Sequence, residues 1–320
     1  MTAMFVDSWD PSYGAAFEGD GGDGPASPST AQVETHHEVP DAEWAPIDAG
    51  RGARCPDVVL LVDGVRRNDA LLWTREDDGT SYAGLAASFA AGVVRCDLAN
   101  GVAELVAGAQ VGRGLFTASP SAEDVQAGSV RYTVRRVSGS GEVSKLPAAV
   151  QAPLTELEIA VSSAAREEDD LLVVDGPLRS RRQLPRTLGY VKTQQRQYLS
   201  AQLTGVVTSL LPGQRTPVFK MGSLWGGWSW YLRLPGSSGA PWAGIVRIEC
   251  SADLTIEQAV ELADLSAVTV PRFASSAYKD PRAPQNLIPI AGLERRLRGM
   301  LGDARVLHRA LTLSAAAGRR

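Results

Sequence analysis

The sequence predicts an α/β fold, a mixed sheet core with flanking helices, additional β-strands and C-terminal helices. Three observations predict it. The runs DVVLLVD (57–63) and DLLVVD (170–175) are continuous, apolar and of strand length, the pattern of strands covered on both faces. Between them ALLWTR, SYAGLAASFAAGVVRCDL, VAELVAGAQVG and VRYTVRRV are β-rich pieces separated by turn residues, among them Asp77-Asp78-Gly79 and Asn100-Gly101, which predicts an antiparallel meander. In LPAAVQAPLTELEIAVSSAAREE, Leu146, Val150, Leu154, Leu157 and Val161 recur at helical spacing, which predicts a helix leading into the second run.

Taken in order, residues 1–50 are rich in Gly, Pro, Ser and Asp and lack apolar periodicity, so they read as a disordered or extended arm before a domain at 51–320. His36 and His37 in that arm lack the spaced partners a metal site needs. The first buried strand is expected to end at Asp63-Gly64, and SYAGLAASFAAG fits either strand or helix. The second buried strand ends at Asp175-Gly176. LGYVKTQQRQYL then reads as a short strand entering a polar helix, and TPVFKMGS, WSWYLRLP and WAGIVRIEC as a second set of strands. The aromatic group Trp225, Trp228, Trp230 and Tyr231 reads as core or interface. DLTIEQAVELADLSAVTV, capped by Asp253, PQNLIPIAGLERRLRGMLG and DARVLHRALTL are the closing helices.

Composition excludes several classes. No apolar run approaches the roughly 20 residues of a membrane span, and no secretory signal opens the chain, so a cytoplasmic location is expected. Three widely spaced cysteines make neither a disulfide framework nor a structural zinc site. There is no Walker loop and no GxGxxG fingerprint. At a net charge of −4, a DNA site must be a local patch. RSRRQLPR supplies one, and Arg179, Arg181, Arg182 and Arg186 are expected at the sheet edge that carries Asp175, where guanidinium groups can grip phosphates.

The two Asp-Gly steps carry the chemistry. A buried carboxylate must be paired, used as a cap or bound to a metal, since otherwise it takes up a proton. One such step reads as a turn. With a meander and a helix between them, two such steps return the second strand beside the first. At a strand spacing of about 4.8 Å, Asp63 and Asp175 then share one hard divalent cation. Glu158, at the edge of the helix's buried stripe, is the expected third ligand, with Glu156 second. An Asp-Asp-Glu set of oxygen donors suits Mn²⁺ or Mg²⁺ and two-metal cleavage of a phosphodiester.

VVLLVDGVRR, TELEIAVSSAAREE followed by LLVVDGPLRSR, GYVKTQ and PQNLIPIAGLERRLR, in that order, resemble the NurA nuclease family, prokaryotic DNA-end-processing enzymes, over roughly residues 55–310. The resemblance implies an RNase H-like core and a metal-dependent DNA nuclease that resects ends for double-strand break repair. It also implies a nucleoid-associated homodimer working with DNA and a HerA-type hexameric translocase. By the same resemblance Asp63 and Asp175 are metal-binding, Glu158 is the helix-borne acid and Lys192 is the catalytic basic residue that meets substrate phosphate. The histidine that the family carries near the segment aligned with 284–291 is absent, His308 being the nearest, and Gln285 and Asn286 offer neutral groups there. The alternative that this absence motivates is a non-catalytic NurA-like adaptor that binds DNA or the translocase.

Overall fold

The structure, a computed structural model, describes residues 3–6, 27–28, 32–49, 52–106, 108–139, 142–167, 169–178, 181, 184–192, 196–222, 226–236, 241–276, 278 and 283–317. The strands in chain order are β1 (Ala3–Val6), β2 (Ser27–Pro28), β3 (Gln32–Glu34), β4 (Val58–Arg75), β5 (Ser81–Asp97), β6 (Val102–Leu105), β7 (Gln110–Thr117), β8 (Val125–Ala127) and β9 (Val130–Arg136). Then come β10 (Leu171–Asp175), β11 (Thr187–Val191), β12 (Arg196–Gln197), β13 (Phe219–Gly222), β14 (Trp228–Arg233) and β15 (Ile245–Cys250). The helices are α1 (Leu146–Ala149), α2 (Gln151–Ala165), α3 (Ala201–Ser209), α4 (Ile256–Thr269), α5 (Ile288–Met300) and α6 (Ala304–Ala317). Among the described residues no helix is long and apolar enough to cross a membrane.

One mixed sheet holds most of these strands, in the order β3-β13-β14-β15-β11-β10-β4-β5-β7-β9-β8. The meander β4, β5 and β7 is antiparallel, whereas β10 runs parallel to both β4 and β11. The two apolar runs therefore lie side by side, Leu172 opposite Leu60 and Val174 opposite Val62. Strand alternation divides their side chains between two cores. Val59, Leu61, Leu171 and Val173 pack with Ala263 of α4 and Leu293 and Leu297 of α5. Leu60, Val62, Leu172 and Val174 pack with Leu154 and Val161 of α2. The expected aromatic core is present in Trp228, Trp230 and Tyr231, all buried, while Trp225 lies outside the described residues.

Several expectations are corrected. The first strand does not end at Asp63-Gly64: β4 runs through it and is 18 residues long in all, with Gly64 paired to Ala91. Its turn falls at 76–80, where Gly79 has φ 89°. SYAGLAASFAAG is strand, because β4 and β7 pair with it on either side and override the helical bias of its alanines. VAELVAGAQVG makes two strands, β6 and β7, which pair with different parts of β5. After β11 the helix expected in TQQRQYL is displaced. Residues 193–195 lie outside the described set, 196–197 are strand, and α3 starts beyond them where Ser200 accepts from the Leu203 amide. Helix α4 is capped by Thr255 in a capping box with Gln258, not by Asp253, whose amide donates to Ser251.

Within the segment read as an arm, residues 32–49 are described and lie on the domain. β3 pairs with β13, Trp44 is buried, and the Glu38 carboxylate accepts from both terminal nitrogens of Arg215 at 2.9 and 3.0 Å. Arg215 is itself buried and also donates to Asp264 of α4 at 2.7 Å, so one guanidinium ties this segment to the helical layer.

Candidate metal centre

Asp63 and Asp175 occupy the odd-numbered face of β4 and β10, the face that carries Val59, Leu61 and Val173 toward α5. Glu294 descends onto them from α5, one residue beyond the core position Leu293. Carboxylate oxygens of Asp63, Asp175 and Glu294 lie within 4.8 Å of one another, an arrangement that could hold a metal ion. The donor chemistry fits a hard cation, because every ligand offered is oxygen.

Glycine makes the approach of α5 possible. Gly92 of β5 stands opposite Asp63 in the strand register. A methyl group there would lie 3.2 Å from both Leu293 Cδ1 and Leu297 Cδ2, so a larger residue would push the helix, and Glu294 with it, away from the sheet.

The electrostatics are those of crowded buried acids. Burial above all, helped by the charges of Asp175 and Glu294 and opposed by Lys192 and the Gly64 amide, raises the Asp63 carboxyl to about 8. That amide donates to Asp63 Oδ1 at 2.7 Å. The Lys192 Nζ, one residue past β11, donates to Asp175 Oδ2 at 2.7 Å and to Asn286 Oδ1 at 3.2 Å. Asn286 is fully buried, and beside it the Gln285 carbonyl accepts from the Tyr190 hydroxyl at 2.7 Å. The chain just before α5 is thereby tied to β11. The strand end at Asp175 is also held: Gly176, at φ 103°, donates its amide to the Tyr190 carbonyl, and the Leu178 amide donates to Glu249 of β15 at 2.6 Å.

The expected residues are distributed unequally. Asp63, Asp175 and Lys192 meet. Glu158 is buried on α2, as the spacing predicts, but α2 covers the opposite face of the sheet, the one formed by Leu60, Val62 and Val174. There its carboxylate forms an ion pair with Arg181 and lies over Gly64, where a Cβ would also come within 2.7 Å of Leu154 Cδ1. Gly64 is therefore a close-approach residue. Arg181 is buried, and burial lowers its guanidinium to about 10 against the opposing charge of Asp63. Glu156 lines a surface groove with Arg135 and Lys145.

Arg186 corrects the expectation that all four arginines emerge beside Asp175. Because β10 and β11 are parallel, their connection must return to the start of β10, and Arg186, just before Thr187, sits beside Leu172. A five-residue strand separates it from Asp175, about 13 Å at 3.3 Å per residue. Arg179 and Arg182 lie outside the described residues. Glu294 is the site residue that the sequence reading missed; its only signal is that LERRLR alternates apolar and charged positions at helical spacing.

No protein-family model matches the chain, and no curated protein matches it significantly.

Proposed function

We propose that this protein is a metal-dependent deoxyribonuclease with an RNase H-like core and the role that the NurA resemblance implies: DNA end resection for break repair, as a homodimer with a HerA-type hexameric translocase. The observation that carries the reading is the convergence of Asp63 and Asp175, far apart along the chain, on a third carboxylate from Glu294. The order β7-β5-β4-β10-β11, an antiparallel meander continued by two strands parallel to its first, supports the RNase H-like core. The partner and the dimer rest on the resemblance.

Asp63, Asp175 and Glu294 would hold Mn²⁺ or Mg²⁺, since oxygen donors without His or Cys favour these ions over zinc. A divalent cation there would supply Lewis-acid activation of water and of the scissile phosphate. The protein's own groups do the remaining work. Asp63 must release its proton before it can serve as a ligand, so ligand binding and deprotonation are coupled at that carboxyl. Lys192 stands 2.7 Å from Asp175 with its side chain partly exposed, placed to meet a phosphate oxygen at the rim. Arg181 keeps Glu158 neutralised behind β4 and limits the negative charge a polyanion would meet.

With Mn²⁺, the purified protein is expected to degrade linear DNA from its ends, and Asp63→Ala or Asp175→Ala to abolish degradation with the circular dichroism spectrum unchanged. Parental cutting by both variants would sink the nuclease reading. A second reading, the non-catalytic adaptor, draws on the internal ion pairs Lys192–Asp175 and Arg181–Glu158, which neutralise Asp175 of the centre and Glu158 behind it without any metal ion. Calorimetry separates the two, because an adaptor takes up no Mn²⁺ that Asp63→Ala removes and still binds DNA or its motor.

A further inference from the structure

Beyond the acidic centre, the most completely satisfied buried charge on the same face of β4 is Asp69, the extra residue where the β4–β5 register shifts between Asn68 and Ala70. Its Oδ2 accepts from Ser88 Oγ at 2.5 Å and from the Tyr132 hydroxyl at 2.9 Å, and its Oδ1 accepts from Arg67 Nε at 2.8 Å. Tyr132 is buried as well.

Arg67 does more than pair with Asp69. With Nε committed there, Nη1 donates to the Gly302 carbonyl at 2.6 Å and Nη2 to the Leu301 carbonyl at 3.2 Å. Arg113 of β7 adds a second donor to Leu301 at 3.3 Å. These carbonyls belong to the C-cap of α5, Leu301, and the residue after it, where no intrahelical donor remains, and a cation at that end also complements the helix dipole. At its other end the approach to α5 is tied to β11 through Asn286 and Gln285. The helix that carries Glu294 is thus pinned beyond both ends, with Gly92 admitting its middle.

We propose that Arg67 is a positioning residue for the acidic centre: oriented by Asp69, its guanidinium fixes the C-terminal turn of α5 and so holds the Glu294 carboxylate opposite Asp63 and Asp175. This rests on the metal reading above only for its consequence; the pinning of α5 stands apart from it. Lysine at position 67 keeps the charge but cannot serve Asp69 and two carbonyls with a planar fork.

The experiment compares the parent, Arg67→Lys, Tyr132→Phe, Glu294→Gln and the double variant Arg67→Lys/Glu294→Gln, by Mn²⁺ titration calorimetry and by hydrogen exchange over 293–302. Tyr132→Phe removes one hydrogen bond to Asp69 and touches nothing on α5, so it reports the purely structural loss. Arg67→Lys is expected to weaken Mn²⁺ binding by about 10-fold, the scale of lost outer-shell support, and to speed exchange in the last turn of α5. Tyr132→Phe should do neither. In the Glu294→Gln background the Arg67 substitution should change affinity less than about 2-fold, because the carboxylate through which it acts is gone. The proposal is overturned if Arg67→Lys leaves α5 exchange and Mn²⁺ affinity at parental values, or if its effect on affinity persists undiminished in the Glu294→Gln background. If the parent itself takes up no Mn²⁺, the metal reading fails. The exchange comparison then decides the pinning, and parental exchange in Arg67→Lys overturns it.

Discussion

Gly92 stands directly opposite Asp63 in the β4–β5 register, and the space left by its missing side chain is filled by Leu293 and Leu297 of α5. One strand pair away from the acid, a glycine therefore sets how near Glu294 can come. Gly64, the next residue of β4, plays the same part on the other face for Leu154 and Glu158 of α2.

The two glycines predict opposite phenotypes. Gly92→Val should displace α5, cost about 1–3 kcal/mol as overpacking usually does, and weaken Mn²⁺ binding. Gly64→Ala should destabilise by a similar amount through Leu154 and Glu158 and lower Mn²⁺ affinity less than Gly92→Val does, since Gly64 meets the acidic centre through the backbone amide it donates to Asp63, which alanine keeps. Chemical denaturation together with calorimetry on both variants checks this. Equal loss of Mn²⁺ affinity in the two would refute the assignment of faces.

Asp63 makes apo stability fall with pH. Its folded carboxyl is raised to about 8 by burial and by Asp175, while in the unfolded chain it titrates in the ordinary carboxylate range. Between those values the folded state binds the extra proton, so each pH unit costs up to about 1.4 kcal/mol of stability. In EDTA, Asp63→Asn should therefore gain in melting temperature over the parent as pH rises from 5 to 8, and the gain should level off above that. A difference independent of pH, or one that shrinks with pH, contradicts the shift. By the same linkage Mn²⁺ should bind more tightly as pH rises toward 8.

The identity of the third ligand is decided by Glu294→Gln against Glu158→Gln. The first should weaken Mn²⁺ binding, though leave it measurable, and abolish DNA cleavage with little loss of stability, because a crowded acid is removed. The second leaves Arg181 buried without its partner and should cost about 3 kcal/mol, while Mn²⁺ affinity stays close to the parent's. Thermal melts and titrations of both variants give the answer directly.

This pair also shows what the sequence could reveal. Asp63 and Asp175 are legible because an acid interrupting a fully apolar run demands a partner, and the parallel pairing of the two runs follows from the meander and helix between them. The buried stripe of α2 is legible as well, and Glu158 does lie within it. Which face of the sheet α2 covers is not written in local periodicity. Parity alone separates Leu60 and Val62 from Val59 and Leu61, and both pairs are equally apolar. Glu294 was hidden because an acid in LERRLR looks like one more solvated helical charge until Leu293 and Leu297 are seen to dock on Gly92. Gly64 reads as a turn because aspartate followed by glycine forms turns, and the neighbouring α2 explains its presence in mid-strand.

Lys192 stands where its ammonium would compete with a divalent cation for Asp175. Its ammonium lies 2.7 Å from Asp175 Oδ2 and opposes the rise of the Asp63 carboxyl. Replacing it removes a like charge from beside any bound divalent ion, so Lys192→Met should tighten Mn²⁺ binding at a pH well above 8, where Asp63 has lost its proton even though its carboxyl rises once Lys192 is gone. Cleavage should nevertheless fall, since the proposed function gives the same side chain the contact with substrate phosphate, and the slope of log Kd for DNA against log salt should shrink by about one counter-ion's worth. Arg186→Ala, altered at the far end of β10, should leave both quantities unchanged. If Lys192→Met instead loosens Mn²⁺ at that pH, the lysine supports the carboxylate geometry more than it competes with the ion, and its assignment as a phosphate contact loses its electrostatic basis.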